Sequence, residues 1–324
     1  MQETMARQPS DLRALLDDVA SAERAAATLR DCVRLLLVGT GTSWHAAAVG
    51  AWFLRDAGVD AWAVPSSEAP SVVDGGPAGC GLVAVSHSGA AGSSQSGRPK
   101  LATHGVVARA RERGLPVVTI GARGVSGADL ETVERETSSA HTASYLAALM
   151  RIAQIAGVLG SPLAGLDRVP DVVAAALVSG DVPRIDPPQR MIEFVGSGVN
   201  TYTATEGALK VREAARIASE GLGAEQCMHG PLVALDERDA LVALDGSDEG
   251  ASRVHDVVRL AQAQGVRTHV VQAPSDVSDP LTVFPLTVAV QRIALACAES
   301  LGTDPDAFGF DVEGRREAWS EVAL

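Results

Sequence analysis

The chain carries one pattern twice. LLLVGTGTSWHAAAVGAWFLRDAG runs from Leu35 to Gly58, and IEFVGSGVNTYTATEGALKVREAA runs from Ile192 to Ala215. Each is an apolar run, a G-x-G turn with hydroxyl or amide residues, and a helix-length segment. Downstream, VAVSHSG (Val83 to Gly89) corresponds to LVALDGSD (Leu241 to Asp248), and GLPVVTIGA (Gly114 to Ala122) to GVRTHVVQA (Gly265 to Ala273). Three elements in the same order predict two copies of one folding unit, produced by internal duplication.

Each copy alternates short β-rich runs with helical stretches. In the first copy the strand candidates are Leu35 to Val38, Ala61 to Val64, Leu82 to Ser86 and Pro116 to Ile120. Trp44 to Ala57 and Gly105 to Arg113 have helical character. Such alternation predicts an α/β protein of two tandem α/β/α sandwiches with parallel sheets. Turn signals in SPLAGLDRVP and GDVPRIDPPQ flank one short helix and set the boundary between Ser161 and Pro188. The expected division is 1–165 with a leading helix, a linker over 166–188, and 189–324 ending in a tail. Hydrophobic residues make up 46% of the chain and aromatic residues only 3%. The cores are therefore aliphatic, as suits parallel strands covered on both faces.

The formal net charge of −13 disfavours nucleic acid and anionic membranes as partners. Cys32, Cys80, Cys227 and Cys297 form no C-x-x-C clip and read as reduced thiols. The polar N-terminus MQETMARQPSDLR is no signal peptide, and no apolar run is read as a membrane span. A cytoplasmic protein is expected. Lys100 and Lys210 are the two lysines, which limits imine chemistry to those positions.

In sheets of this kind, ligands bind at the carboxyl ends of the strands. GTGTS offers backbone N–H groups and the Thr42 and Ser43 hydroxyls at a helix start, and SHSG offers Ser86 and Ser88. Either turn can equally be purely structural, its residues serving as caps. A dinucleotide fingerprint is not met, because Trp44 or His45 stands where the third glycine belongs. No H-x-x-x-H or H-E-x-x-H spacing is present, so no metal site and no cofactor are expected. Glu206, Lys210 and Glu213 share one helix face at i, i+4 and i+7, where Glu206 and Lys210 can pair and leave Glu213 a turn further on.

The segment EGALKVREAARIASEGLGAEQCMHGPLVAL, Glu206 to Leu235, resembles the isomerase half of glucosamine-6-phosphate synthase and related double-SIS (sugar isomerase) proteins. An E-G-A-L-K-x-x-E helix precedes an H-G-P turn, with Glu213 and His229 16 residues apart. GTGTS, S-x-S-G and the early TMARQP agree with it. The resemblance implies a SIS-type fold and a phosphosugar isomerase, with aminosugar-phosphate deamination as a close variant. By it, Glu213 is the base that moves a proton between C1 and C2. His229 assists ring opening from the neighbouring subunit of a homodimer with a shared active site. Thr42, Ser43, Ser86 and Ser88 hold the phosphate with His87 beside them, and Ser139 and His141 contact the sugar. A sugar-phosphate sensor without turnover is the alternative.

Three departures from the family pattern stand out. The tail DPDAFGFDVEGRREAWSEVAL has no lysine, where the synthase places one in its active site; Arg315, Arg316 and Glu317 are the candidates to replace it. AAGSSQSGRPKLA (Ala90 to Ala102) intervenes before Thr103, and its Arg98 and Lys100 suit either a lid or a tolerated insertion. His87 and His141 stand where the synthase has other residues, which implies a different sugar. No glutamine-hydrolysing segment is read in these residues, so synthesis from glutamine is not expected.

Overall fold

A computed structural model describes residues 1–87, 103–124, 128–246 and 250–320. The strands are β1 (Arg34–Gly39), β2 (Ala61–Pro65), β3 (Cys80–Val85), β4 (Val117–Arg123), β5 (Leu130–Glu134), β6 (Met191–Gly196), β7 (Ala218–Gly223), β8 (Ala240–Asp245) and β9 (Arg267–Gln272). Helices α1 (Gln2–Ala6), α2 (Gln8–Asp17), α3 (Val19–Leu29), α4 (Thr42–Asp56), α5 (Ala69–Gly75), α6 (Thr103–Glu112) and α7 (Ala143–Leu159) belong to the first half of the chain. Helices α8 (Val169–Val178), α9 (Asn200–Ala215), α10 (Ala224–Met228), α11 (Ala251–Ala263), α12 (Val283–Leu301) and α13 (Arg315–Ser320) follow.

Two compact units result. One consists of Ser10–Thr137, Ala143–Leu163 and Val312–Leu324; the other of Met1–Pro9, Ser138–Thr142 and Ala164–Asp311. We call them the N-unit and the C-unit.

The N-unit sheet has the order β2-β1-β3-β4-β5, and every pair is parallel. Alternation along β1 sends Leu36 and Val38 into a cluster with Val73, Leu82, Val106 and Val107 under α5 and α6. The opposite face carries α3, α4 and α7. Helix α7, ASYLAALMRIAQIAGVL, is buried along nearly its whole length, as its near-continuous apolar sequence requires.

The C-unit sheet has the order β7-β6-β8-β9, again all parallel. On β6, Ile192 and Phe194 enter a cluster with residues of α9 and α12, while Val195 faces a second cluster with α10 and α11. The N-terminal segment folds here. Met1 and Met5 join the first cluster, and Gln8 Nε2 donates to Gln291 Oε1 at 2.7 Å.

The predicted strands and helices of the first copy correspond to β1 to β4, α4 and α6, and α8 is the short helix between Ser161 and Pro188. Strand β5 is a finding. LETVE is five residues long and carries two glutamates, too short and polar to register as a strand. Helix α12, interrupted by Gln291 and Arg292, is long and apolar enough to cross a membrane by length and composition, and most of it is buried inside the protein, as a core helix is.

Both sheets share one local constraint where the first strand meets its helix. A Cβ on Gly39 would lie 2.3 Å from the Ser43 carbonyl oxygen, and one on Gly196 2.3 Å from that of Asn200. Only glycine allows the helix to start so close to the strand end. The G-x-G turns are thus first of all devices for bringing a helix N-terminus up to the sheet.

Candidate active site

In the N-unit, the helix brought up by Gly39 is α4, with Thr42 and Ser43 as its first two residues. Gly41 precedes them at φ 55°, in the left-handed region. The first turn of a helix directs backbone N–H groups outward and carries partial positive charge, so hydroxyls placed there complete an anion cradle. Ser86 follows β3 at the same end of the sheet, its N–H donating to the Ile120 carbonyl at 2.9 Å. His87 comes next. Its Nε2 accepts the Glu136 backbone N–H at 3.0 Å, which leaves the ring proton on Nδ1. Ser88 and the Ala90–Ala102 stretch with Arg98 and Lys100 lie outside the described residues.

Glu136 is a residue that sequence reasoning missed. Its carboxylate is buried and accepts the backbone N–H groups of Ala143 at 3.2 Å and Ser144 at 2.9 Å. It caps α7 from seven residues upstream, where a negative charge is favoured by the helix dipole. The signal was present as an acidic residue before a Ser/Thr-rich turn and an apolar helix. The loop after β3 is therefore tied through His87 to the segment that caps α7. Thr103, the first hydroxyl after the insertion, begins α6 and pairs with the Ser66 hydroxyl at 2.8 Å, both buried.

The equivalent turn of the C-unit differs in charge. Strand β8 ends in Asp245, buried and 3.0 Å from His255 Nε2. The space at the next residue is taken by Asn200, whose Nδ2 would lie 2.2 Å from a Cβ on Gly246. A buried carboxylate repels an anion, so of the two turns the N-unit one suits phosphate.

In the C-unit, α9 carries Glu206, Lys210 and Glu213. Lys210 and Glu206 are fully buried. The Lys210 ammonium lies 3.5 Å from Glu206 and makes a shorter contact with Glu213 Oε2. The expected Lys210–Glu206 pair is present, and Glu213, one turn further on, shares the same ammonium. Both i+3 and i+4 neighbours are within reach of a lysine on a helix, and here one ammonium serves two carboxylates. Of the three side chains, Glu213 alone keeps some exposure, at 15%.

His229 ends the α10 turn and is 71% exposed, its Nε2 3.0 Å from Glu225, which also binds Arg253. These partners pull the Glu225 carboxyl below its ordinary range, the Arg253 hydrogen bond being the larger cause. Ser139 and His141 are half-buried in the Ser138–Thr142 stretch that groups with this unit. Thr142 fixes that stretch through hydroxyl contact with Thr4 at 2.7 Å. A cavity of about 520 Å³ in the C-unit, lined among others by Ser179, Val182, Val271, Pro274 and Leu286, holds none of these residues. Arg315, Arg316 and Glu317, on α13, are exposed.

Residues 188–274, from just before β6 to just after β9, match the family model described as SIS domain. The chain carries a SIS domain. A glutamine–fructose-6-phosphate aminotransferase (isomerizing) of Pyrococcus horikoshii is 26% identical over 344 aligned positions, covering 92% of this chain and 54% of that relative. This chain thus spans about half the length of the relative. Among solved structures, tagatose-6-phosphate ketose/aldose isomerase from Escherichia coli aligns with a TM-score of 0.75 at 19% identity, covering 94% of each chain. Glucosamine-6-phosphate deaminase from Thermotoga maritima aligns with a TM-score of 0.74 at 18% identity, covering 94% of this chain and 96% of that one. At these identities the two structures establish the fold, over SIS and preceding residues alike.

Proposed function

We propose that this SIS protein is a phosphosugar isomerase that moves a proton between C1 and C2 of an open-chain sugar phosphate. The observation that carries this is the buried Lys210 ammonium joined to Glu206 and Glu213, with Glu213 the member that retains access to solvent. A carboxylate held in one rotamer by a buried cation is a positioned base, and positioning is what general-base catalysis needs first. In this scheme Glu213 takes the proton from one carbon and returns it to the other, and the intervening enediolate is stabilised by donors around it. Thr42, Ser43 and Ser86 bind the phosphate, with Ser88 and His87 in the same loop. Ser139 and His141 contact the sugar, and His229 assists ring opening in the partner subunit of a cytoplasmic homodimer. The two units descend from one duplicated unit, which fits their shared strand order and their paired glycines Gly39 and Gly196.

The substrate is a phosphorylated aldose or ketose, or its 2-amino counterpart. A panel of both classes, followed by NMR for isomer formation and by ammonia release, tests this. Isomer or ammonia from at least one phosphorylated sugar, with none from its unphosphorylated form, is the expected result. Tight binding of a sugar phosphate with no turnover of any would replace the enzyme with a sensor.

A further inference from the structure

Strand β6 places an acid where its neighbours are apolar. Glu193 is 1% exposed, and its Oε1 has no hydrogen-bond partner. Alternation along the strand puts it on the same face as Val195, which belongs to the cluster containing Ala224 and Cys227 of α10, Leu232, and Val254 and Val257 of α11. Helix α10 packs on β6 and β7. A carboxylate cannot remain ionised in such surroundings without a cation, and none reaches it among the described residues.

The groups on each packed element bear this out. On β7, Glu220 stands opposite in register, and on β8 the partner is Leu241. On α10 the buried titratable group is Cys227, while Glu225 is exposed and bound to Arg253 and His229. On α11, Arg253 and Arg259 pair with Asp256, and His255 pairs with Asp245. Arg190, just before β6, is taken by Asp239 and Asp236. Burial first and Glu220 second push the Glu193 carboxyl up to about 8. Burial, followed by Glu193 and Glu220, pushes the Cys227 thiol up to about 12.

We propose that Glu193 is a neutral, proton-bearing carboxyl on which the α10 turn is seated, and that loss of its proton unseats that turn and with it His229. Glu193 is then a positioning residue: it touches no substrate and acts through the segment that ends in His229. Its proton leaves to solvent, and water reaches the carboxylate only if α10 lifts from the sheet.

The test is hydrogen exchange of the full chain from about pH 5 to about pH 9, corrected for intrinsic rates, in the native protein and Glu193→Gln. In the native protein the protection of residues 224–234 is expected to fall by up to about tenfold per pH unit between 4.5 and about 8. In Glu193→Gln it stays flat, and α4 stays flat in both. Glu193→Leu repeats the measurement should the amide fail to fold. Equal slopes in native and variant proteins, or no protonated-carboxyl infrared band assignable to Glu193 at about pH 6, would overturn the proposal. The turnover arm rests on the proposed role of His229: alkaline loss of rate should disappear in Glu193→Gln. Should exchange respond while rate does not, the role of His229 fails and the seat stands.

Discussion

Lys210 is the side chain that decides whether Glu213 is a base or an ordinary surface acid. Two carboxylates share its buried ammonium, so removing it takes that shared positive charge from both. Lys210→Met is therefore expected to lower stability by about 3–5 kcal/mol, the scale for breaking a buried pair, as read by urea unfolding. A loss under about 1 kcal/mol would mean the triad is exposed in solution. The i, i+4, i+7 spacing was legible in the sequence, and so was a role for Lys210 as ion-pair partner. Which carboxylate it prefers was not legible, because that choice depends on burial, and burial is set by α12 and the sheet rather than by α9 itself. Glu136 was visible as an acidic residue ahead of an apolar helix but not assignable as its cap, because a cap reaching back seven residues has no fixed spacing to find.

At the level of elements, the G-x-G turns do two jobs that the sequence presents as one. Their first glycine is required by the close approach of the helix, in both units. In the N-unit the neighbouring turn offers the Ser86 hydroxyl, whereas in the C-unit Asp245 and Asn200 stand at the corresponding place. Gly39→Ala and Gly196→Ala should each destabilise at or above the about 1–3 kcal/mol typical of overpacking, since the atom met is backbone and cannot yield. Thermal unfolding of the two variants checks this, and a neutral result at either would show that the strand end can shift. Glu136→Ala should cost about 0.5–2 kcal/mol as a lost helix cap and raise amide exchange at Ala143 and Ser144. Strand and helix positions in the first copy and the hydroxyl turns were readable because periodicity and glycine punctuation are local. What was not readable comes from long-range packing: LETVE becomes β5 by pairing beside β4.

For the whole molecule, Glu193 makes stability depend on pH in a stated direction. Its proton is held in the folded state up to about 8 but is lost from the unfolded chain near its ordinary 4.5. The native state therefore binds more protons across that window, and stability falls as pH rises through it, by up to about 1.4 kcal/mol per unit. Below 4.5 the full stability is present, and above about 8 no further loss comes from this group. Denaturant midpoints should show the decline in the native protein and not in Glu193→Gln; a parallel decline in both would assign it to other groups. The two-unit α/β architecture, with its net charge of −13 and a phosphate-suited turn in one unit, is consistent with a small anionic substrate gathered by local donors rather than by the overall field.

Proton transfer itself is the most direct thing to measure. Candidate sugar phosphates are incubated with the protein in deuterated water and followed by NMR at C2. Deuterium is expected to enter C2 with the native protein, and to fall by about 10²-fold or more with Glu213→Gln while binding is retained. Exchange that persists unchanged in Glu213→Gln would contradict the account.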